Sequence, residues 1–527
     1  MKLKNIFSFA LLFVAALFMS CSDSDDNNAA TGLTITNDGV TIESLSMPLG
    51  ESSVMLGVNT DAEWTVSVPE ADASWISVTP HEGYGWNISD STASNYRSYF
   101  KVTTQKNTEA PRTSTLTITA GGLTKVITVN QAGISGIDDG HESAWEMVEN
   151  FVLGYNLGNT MESNPYASWW KPEEKTVADW EKAWGQPQVT KETIQTLKAK
   201  GFNVLRLPVT WYPHIAKFSK TYTKDEDYAI DAAWMARVKE IVKMINDEGM
   251  YCIVNIQHDA GANNGSGDPN SAWLHADNDY ENVTKIYQAI WKQIATEMKD
   301  FDDKVIFESF NEILNANSSW TAPAAGDVAY ETINKLQQDF VNVVRATGGN
   351  NEYRNLLISN YADTGTSDVA VNALSVPTDT HPNHICATFH SYDPYWFCNG
   401  NRHKEGESAA EKKKIDEDEK FYIYDFGDDQ KAEIKAVFNR IDKKCGSLGI
   451  PYFFGEFGAI GDHPEMTERA KYADYVTSLC NEYKTTAFWW MGLLDRRTNT
   501  WLEDEAPIVD ALVKNRRPGW QSLYRYR

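Results

Sequence analysis

Two glutamates in strand-like parts of this sequence have the residue type and the setting for acid–base chemistry. Glu312 lies near the end of VIFESFNEI (305–313), and Glu456 lies within FFGEFG (453–458). Burial of a carboxylate is costly unless the group is paired or has a function. Two facing carboxyl groups, one protonated and one ionised, are what the hydrolysis of a glycosidic bond requires. Glu308 lies earlier in the first run, and we expect it to be structural and bonded to a neighbouring strand or helix.

Other kinds of catalysis have less support in the sequence. Phosphoryl transfer would need metal ligands and basic groups, and acyl transfer would need a Ser or Cys nucleophile with its base. Neither set is evident, and the cysteines show neither CxxC nor clustered His spacing. We therefore expect neither a metal nor another cofactor. Cys252 is expected to be a buried free thiol. The sequence does not decide whether Cys386 and Cys398 form a disulfide.

From about residue 144 onward, apolar strand-like runs alternate with amphipathic helical stretches. Eight such runs follow one another: FVLGYNLGN, NVLRLPVTW, YCIVNIQHD, VIFESFNEI, NLLISNYAD, HICATFHSY, PYFFGEFGA and TAFWWMGLL. The alternation is typical of a parallel α/β architecture, and eight units in roughly 370 residues predict a (β/α)8 TIM barrel. A doubly wound open sheet is the alternative, but GYNLGNTME is not the GxGxxG loop that usually follows its first strand.

Polar and aromatic residues recur at the ends of these predicted strands. In a barrel, the C-terminal strand ends surround the mouth where catalytic groups lie, so these side chains would meet there. Two-residue alternation from Asn255 makes Gln257 the inward residue of the third strand, unless a register shift brings His258 inward instead. The strand-end residues are Asn159, Arg206, Trp211, Gln257, His258, Asn311, Glu312, His390, Tyr392, Glu456 and Trp490.

Residues 32–133 have a different pattern, with short runs rich in Thr, Val, Ser and Ile that alternate with period two. Short strands of this kind, separated by turn residues, predict an all-β sandwich of immunoglobulin-like size. Trp64 and Trp75 could be sugar-stacking platforms, but such residues are more often core aromatics. The segment GISGIDDGHES follows and gives a predicted linker at 134–143.

The N-terminus has two early lysines and an apolar run that ends in LFMSC, at Cys21. The run is too short to span a membrane comfortably, and the pattern indicates an export signal. LFMSC resembles a bacterial lipoprotein signal, and SDSDDNN resembles the acidic tract of surface lipoproteins in the Bacteroidetes. The resemblance implies a signal peptide at 1–21, a lipid anchor on Cys21 and a secreted protein on the outer membrane surface. The alternative is an ordinary cleaved signal with an incidental cysteine.

The chain is acidic, with 48 Lys and Arg against 73 Asp and Glu and a formal charge of −25. Such a surface repels nucleic acid and anionic lipid, which argues against both as binding partners. A neutral polymer such as a polysaccharide is unaffected by this charge. We expect the protein to be a monomer.

The motifs GYNLGNTME, GFNVLRLPVTW, FNE, HSYDPY, GEFG and FWWMG occur in this order. Together they resemble glycoside hydrolase family 5, the cellulase family of clan A, and imply a catalytic domain over 144–527. The N-terminal region, with Trp64 and Trp75, NTEAPRTSTLTIT and VNQAG, resembles a BACON domain, a module attached to many Bacteroidetes glycan-degrading enzymes.

Carried over residue by residue, the resemblance implies that Glu312 is the general acid/base and Glu456 the nucleophile. Ile313 replaces the proline that usually follows the acid/base, a change that leaves both glutamates in place. Gln257 stands where a histidine is typical, and Gln can form hydrogen bonds but cannot become cationic. The resemblance also implies that Arg206 keeps Glu456 ionised and that Asn311 bonds the sugar 2-hydroxyl. His390 and Tyr392 would orient the carboxylates. Trp490, in preference to Trp489, would form the surface on which the sugar stacks.

The resemblance implies a secreted or surface-anchored, retaining endo-β-1,4-glucanase that acts on β-glucan from plants. Two alternatives stay open: the same mechanism on β-mannan or xyloglucan, or a glycan-binding protein without catalysis. Aromatic residues in the predicted loops would stack on sugar rings along an open cleft. They are Tyr166, Trp169, Trp170, Trp184, Trp211, Trp273, Trp320, Tyr395 and Trp396.

Overall fold

The structure is a computed structural model. It describes residues 30–516 except 38–39, 48–50, 85–97, 106, 108–111, 132–139, 167–168, 263–267, 404–406 and 462–463. The predicted signal peptide with Cys21, and most of the predicted linker, lie outside the described residues. The chain divides into two compact units, with every residue from 130 onward in the second. Among the helices that the structure describes, none combines the length and the apolar character needed to cross a bilayer.

The described part of the N-terminal region contains ten strands in two five-stranded sheets. One sheet has the order β2-β1-β4-β8-β6 and the other β3-β10-β9-β5-β7. The strands are β1 (Leu33–Asn37), β2 (Val40–Thr41), β3 (Ser44–Met47), β4 (Ser52–Thr60), β5 (Glu63–Ser67), β6 (Ile76–Thr79), β7 (Glu82–Tyr84), β8 (Tyr99–Thr104), β9 (Arg112–Ala120) and β10 (Leu123–Gln131).

Alternating burial along these strands shows why they form a sandwich. In β5 and β8 every second side chain is buried, as expected when one face of each sheet packs on the other. The rings of Trp64 in β5 and Phe100 in β8 lie 5.8 Å apart and join the two sheets. Trp64 and Trp75 are both buried, so they are core aromatics rather than sugar-stacking platforms. The predicted all-β sandwich is confirmed.

The second region is a closed barrel of eight parallel strands. Each strand pairs with the next, and β18 pairs with β11 to close the ring. This confirms the TIM barrel and excludes the doubly wound open sheet. The strands are β11 (Gly154–Asn156), β12 (Val204–Leu207), β13 (Tyr251–Asn255), β14 (Val305–Glu308), β15 (Leu356–Ile358), β16 (Ile385–Ser391), β17 (Tyr452–Phe457) and β18 (Ala487–Trp489).

Amphipathic helices surround the barrel, and a small hairpin of β19 (Leu494–Asp495) and β20 (Thr500–Trp501) follows it. The helices are α1 (Ala144–Asn150), α2 (Val177–Glu181), α3 (Lys191–Lys200), α4 (Ala232–Asp247), α5 (Tyr280–Met298), α6 (Val328–Arg345), α7 (Asp368–Ala373), α8 (Tyr395–Cys398), α9 (Ala409–Asp418), α10 (Asp428–Leu448), α11 (Met466–Glu482) and α12 (Ala506–Lys514). Short 3-10 turns occur at Glu70–Asp72, Pro172–Glu174, Tyr212–His214, Asp225–Tyr228, Gly349–Glu352, Tyr361–Asp363, Glu419–Phe421 and Glu503–Glu505.

Helix α1 packs into an apolar layer formed by the inward side chains of the strands. Ser143 caps this helix in a capping box with Glu146, which satisfies backbone donors at its start. Met147 and Phe151 then pack in one buried cluster with residues from seven of the eight strands. The other members of the cluster are Ala144, Val148, Val204, Tyr251, Ile253, Ile306, Leu357, Cys386, Phe453 and Phe488. Apolar side chains thus fill the end of the barrel next to α1, which leaves the C-terminal ends of the strands for polar groups.

All five cysteines that the structure describes are buried free thiols. Cys252 lies within β13 with no exposed surface, as predicted. Cys386 and Cys398, whose pairing the sequence left open, do not form a disulfide. Burial raises the pKa of both thiols well above the ordinary value, so they are unreactive.

Candidate active site

Arg206 in β12 is the centre of a polar cluster inside the barrel mouth and has no exposed surface. Its Nε and Nη2 donate to the two carboxylate oxygens of Glu308 at 2.7 and 2.6 Å. Nη1 donates to Glu456 Oε1 at 2.6 Å and to Asn156 Oδ1 at 3.1 Å. Nη2 also donates to Asn311 Oδ1 at 2.7 Å. The guanidinium therefore joins residues that lie far apart in the sequence.

Two carboxylates make the burial of this arginine possible. Burial lowers the pKa of Arg206, but the charges of Glu308 and Glu456 outweigh burial and raise it above the ordinary value. A buried ion stays charged at tolerable cost only with such partners and good hydrogen-bond geometry. Glu308 also accepts from Asn255 Nδ2 at 3.2 Å. It is thus bonded to other strands, as predicted, and is the fixed counterion of Arg206.

A bulge in β17 places Glu456 in the barrel mouth. Phe389 pairs with Phe454 but His390 pairs with Glu456, so Gly455 is an extra residue in the ladder. Because Phe453 faces the interior cluster, simple alternation would turn Glu456 outward, and the bulge turns it inward instead. Gly455 permits this close approach, since a Cβ there would lie 2.7 Å from the Thr388 hydroxyl.

The surroundings of Glu456 favour its ionised form. Tyr392 donates its hydroxyl to Oε2 at 2.7 Å, and Arg206 occupies Oε1. His390 Nδ1 lies 3.8 Å from Oε2. Burial opposes the charge, but His390 and Arg206 outweigh burial and lower the pKa of Glu456 below its ordinary value. An ionised carboxylate that is held in place by hydrogen bonds to both oxygens is suited to attack an electrophilic carbon.

Glu312 lies after the end of β14 and has different surroundings. Its Oε1 lies 2.9 Å from His390 Nδ1, and Asn311 Nδ2 donates to its Oε2 at 3.3 Å. Its backbone N–H donates to Asp363 Oδ2 at 2.8 Å. The side chain of Glu312 is 21% exposed, against 5% for Glu456. This greater exposure suits a group that exchanges protons with a leaving group and with water.

The two glutamates lie close enough for a direct displacement. A carboxylate oxygen of Glu312, a carboxylate oxygen of Glu456 and a ring nitrogen of His390 all lie within 4.8 Å of one another. Retaining glycosidases have carboxyl groups about 5 Å apart, whereas inverting enzymes need about 6.5–9.5 Å to admit a water molecule. The separation in this protein matches the retaining geometry.

Gln257 and His258 both lie near this cluster, although in different ways. Gln257 is buried, and its Oε1 accepts from Asn255 Nδ2 at 2.6 Å and from Arg206 Nη2 at 3.4 Å. It is therefore the inward residue that alternation predicted. His258 is half-buried against Trp184, with ring centroids 5.3 Å apart. Burial lowers the pKa of His258 to about 4, so it does not restore the charge that Gln257 lacks.

Trp490 rather than Trp489 has a partly exposed ring. Trp489 is buried in the core with its ring edge-to-face against Phe457 at 5.2 Å. Trp490 is half-buried over Gly158, where a Cβ would come within 3.0 Å of the indole. The carbonyl of Gly158 accepts from Arg496 Nη2, which fixes the loop that supports the indole.

Some of the predicted strand-end residues lie outside the site, and other residues lie within it. Trp211 is buried in the core, and its Nε1 donates to the carbonyl of Asn255. Asn159 bonds through its backbone to the nearby loop residue Glu162, and Asn156 contacts Arg206 in its place. Sequence reasoning also missed Asp363, although it is an acidic residue at the end of the fifth predicted strand.

Comparisons with known proteins agree with this geometry. The sequence model of the cellulase family, glycosyl hydrolase family 5, matches residues 166–492. A second model, the BACON putative N-terminal binding domain, matches residues 62–132.

Several characterised proteins are similar to the chain. Endoglucanase A of Ruminococcus albus is 31% identical, over 71% of this chain and 93% of its own length. The xyloglucan-specific endo-β-1,4-glucanase BoGH5A of Bacteroides ovatus is 27% identical, over 96% of this chain and 95% of its own length. The chain spans 40% of the length of another relative, the cellulase/esterase CelE of Acetivibrio thermocellus.

Similarity extends to solved structures. The glycoside hydrolase family 5 enzyme PbGH5A of Prevotella bryantii B14, solved as a point mutant in complex with a xyloglucan tetradecasaccharide, superposes with a TM-score of 0.59 and 33% identity. The match covers 71% of this chain and 99% of PbGH5A. With the barrel, the paired glutamates and the family match all in place, the chain belongs to glycoside hydrolase family 5 and is an endoglucanase-type hydrolase of β-glucans.

Proposed function

We propose that the protein is a retaining endo-β-1,4-glucanase in which Glu456 is the nucleophile and Glu312 the general acid/base. The observation that carries this proposal is the placement of both carboxyl groups within 4.8 Å of each other across the barrel mouth. Their surroundings differ in the way that two-step displacement requires. Glu456 is held ionised by Arg206, and Glu312 is more exposed and bonded to His390.

In the first step, Glu456 attacks the anomeric carbon of the sugar. A bond forms from a carboxylate oxygen of Glu456 to that carbon while the bond to the glycosidic oxygen breaks. Glu312 transfers its proton to the departing oxygen, so the shortened chain leaves as an alcohol. The product of this step is a glycosyl-enzyme ester with inverted configuration.

In the second step, water replaces the departed chain. Glu312, now ionised, takes a proton from the water as the water attacks the anomeric carbon and the ester bond to Glu456 breaks. The second inversion restores the β configuration. Glu456 is then again an anion between Arg206 and Tyr392, and Glu312 is again protonated.

Other residues of the cluster bind and orient the sugar. Asn311 lies between Arg206 and Glu312 and would bond the sugar 2-hydroxyl. The half-buried indole of Trp490 gives a flat apolar surface for the sugar ring. A glycan-binding protein without catalysis would have no need of the bonds that keep Glu456 ionised, so these bonds support a working enzyme.

The loops at the C-terminal side of the barrel offer further contacts for a polymer. Trp169 follows β11, Trp320 follows β14 and Tyr395 follows β16, and all three are well exposed. Tyr166 is also exposed, whereas Trp211 and Trp273 of the predicted set are buried in the core. Exposed aromatic rings on several loops suit an extended chain that is cut internally.

Xyloglucan is a second candidate substrate. The relative that matches 96% of this chain, BoGH5A, is named as a xyloglucan-specific endo-β-1,4-glucanase. The Prevotella bryantii enzyme was solved with a xyloglucan tetradecasaccharide. A xyloglucan chain has the same β-1,4-glucan backbone, so the proposed catalytic steps are unchanged, and the loops decide whether its branches fit.

We expect mixed-linkage glucan and carboxymethyl cellulose to be cut into oligosaccharides of several lengths early in the reaction. The measurement is reducing-sugar release and product sizing on these two glucans, xyloglucan and glucomannan, with Glu456→Ala as the inactive control. Release of monosaccharide alone would contradict internal cleavage. A kcat/KM at least ten times higher on xyloglucan or glucomannan than on the unbranched glucans would show that this polymer is the preferred substrate.

We also propose that Cys21 carries a lipid that anchors the protein to the outer membrane, on the basis of the LFMSC and SDSDDNN segments. Cys21→Ala should then move the protein from the membrane fraction to the soluble fraction of the producing cell. Cys480→Ala, which removes a thiol buried in the barrel, is the matched control and should leave fractionation unchanged. Membrane association that persists in the Cys21 variant would contradict the anchor.

A further inference from the structure

The carboxylate of Asp363 contacts the backbone of the acid/base glutamate. Asp363 ends the turn Tyr361–Asp363 that follows β15, and it is fully buried. Its Oδ2 accepts a hydrogen bond of 2.8 Å from the backbone N–H of Glu312. Glu312 has a φ of 44°, a left-handed conformation that non-glycine residues rarely adopt and that surrounding contacts must hold. Asp363 therefore fixes the backbone from which the side chain of Glu312 projects.

The same carboxylate faces the histidine that is bonded to Glu312. Oδ2 of Asp363 lies 3.6 Å from Nε2 of His390, and Nδ1 of His390 lies 2.9 Å from Oε1 of Glu312. The imidazole thus lies between two carboxylates, with one at each ring nitrogen. A carboxylate at Nε2 favours a proton on that nitrogen, and in the protonated ring Nδ1 carries a second proton that it can donate to Glu312.

Charged groups from several strands surround this pair. Burial lowers the pKa of His390, but three carboxylates outweigh burial and raise it to about 9. They belong to Glu456, Asp363 and Glu312. Burial raises the pKa of Asp363 to about 7, opposed by His390 and increased by Glu312 and Glu308. Each member of the pair therefore favours the charged form of the other, His390 by lowering the pKa of Asp363 and Asp363 by raising that of His390.

We propose that Asp363 is a positioning residue for proton transfer, acting on Glu312 through its backbone and through His390. The inference rests on the proposed role of Glu312 as general acid/base. A purely structural carboxylate is available for comparison in Asp259. It is fully buried and accepts from the backbone N–H groups of Trp211 and Tyr212 at 2.7 and 3.0 Å.

The test is Asp363→Asn in the full chain. The amide oxygen of Asn can still accept from the Glu312 backbone, but the charge opposite His390 is lost. We expect kcat/KM on mixed-linkage glucan, whose leaving group needs a proton, to fall by about 10- to 100-fold, less than the roughly 10²- to 10⁴-fold that the proton donor itself contributes. On 2,4-dinitrophenyl β-cellobioside, whose leaving group departs without a proton, we expect a change of less than about threefold, because Arg206 and Tyr392 still hold Glu456 for its attack.

Two other variants separate the possible outcomes. Glu312→Ala should show the same difference between substrates at a larger scale, and Asp259→Asn should lower both rates equally or only the melting temperature. If Glu312→Ala discriminates between the substrates and Asp363→Asn does not, the role of Asp363 is wrong and the proposed function stands. If Glu312→Ala itself fails to discriminate, the proposed function is wrong.

A measurement of ring protonation in the wild-type protein tests the proposal without relying on the activity of any variant. We expect the ¹⁵N NMR signals of His390 at pH 7, in protein labelled at histidine, to show protons on both ring nitrogens. A His390→Gln variant assigns these signals by removing them. A neutral ring without a proton on Nε2 would overturn the proposal, because Asp363 would then not be facing a charged imidazole.

Discussion

Replacement of Glu456 by alanine should abolish turnover on every glycoside substrate, and azide should restore part of it. Loss of a group that forms the covalent intermediate costs on the order of 10⁴- to 10⁶-fold in kcat. The space vacated by the side chain would admit a small anion next to Arg206, which loses its Glu456 partner. Azide would attack the anomeric carbon once, from the side where Glu456 lies. The product should therefore be an α-glycosyl azide, with configuration opposite to that of the substrate.

The matched control for this variant is Glu465→Ala, which removes an exposed glutamate that pairs only with surface Arg402 among the ion pairs of the described residues. Its turnover should equal that of the wild type, with and without azide. Rates are measured with an aryl β-cellobioside, and the azide product is identified by NMR. A β-glycosyl azide from Glu456→Ala, or substantial turnover without azide, would show that another group is the nucleophile.

Replacement of Glu312 by alanine should give a loss that depends on the leaving group. On natural glucan, where the departing oxygen needs a proton, we expect kcat/KM to fall by about 10²- to 10⁴-fold. On 2,4-dinitrophenyl β-cellobioside the first step needs no proton, so kcat/KM should stay within about tenfold of the wild type. The second step still lacks its base, so the glycosyl-enzyme should accumulate and appear by mass spectrometry as a covalent adduct.

Azide should act on this variant with the opposite stereochemical result. It would attack the accumulated glycosyl-enzyme from the side where Glu312 lies, giving a β-glycosyl azide. The control is Glu465→Ala, measured on the same aryl and natural substrates. Equal losses on both substrates would contradict the role of Glu312 as an acid.

The barrel and the main strands could be predicted because their patterns are local. Each barrel strand is buried on both faces, so it forms a continuous apolar run that the sequence shows directly. Arg206, His390 and Trp490 lie at positions that two-residue alternation also places inward. The family resemblance favoured Trp490 over Trp489 as the ring at the site, and alternation from Phe488, which faces the barrel interior, agrees with that choice.

The position of Glu456 could not be derived from alternation, which predicts an outward side chain. A bulge adds one residue at Gly455 and reverses the faces beyond it, and whether a bulge forms depends on a neighbouring strand. The left-handed backbone of Glu312 likewise involves a distant partner, since its N–H donates to Asp363. For both glutamates the strand-end positions and the family motifs indicated a shared site, but neither gave the backbone geometry that orients the side chains.

The exposure of aromatic residues in the loops could not be predicted from the sequence either. Trp169 and Trp320 are exposed as predicted, but Trp273 is buried with its Nε1 bonded to Asp259 at 2.7 Å. Tryptophans in loops look alike in a sequence whether they contact solvent or the core, because burial is decided by how the loop folds onto the barrel. Asp363 was missed for a related reason, since a single acid at a strand end has no distinctive spacing.

The stereochemistry of the wild-type reaction is the sharpest test of double displacement at this site. Hydrolysis of an aryl β-cellobioside is followed by ¹H NMR in the first minutes, before the released sugar mutarotates. Direct attack by Glu456 followed by water activated by Glu312 predicts that the β-anomer appears first and the α-anomer later. First appearance of the α-anomer would contradict the double displacement and, with it, the roles given to both glutamates.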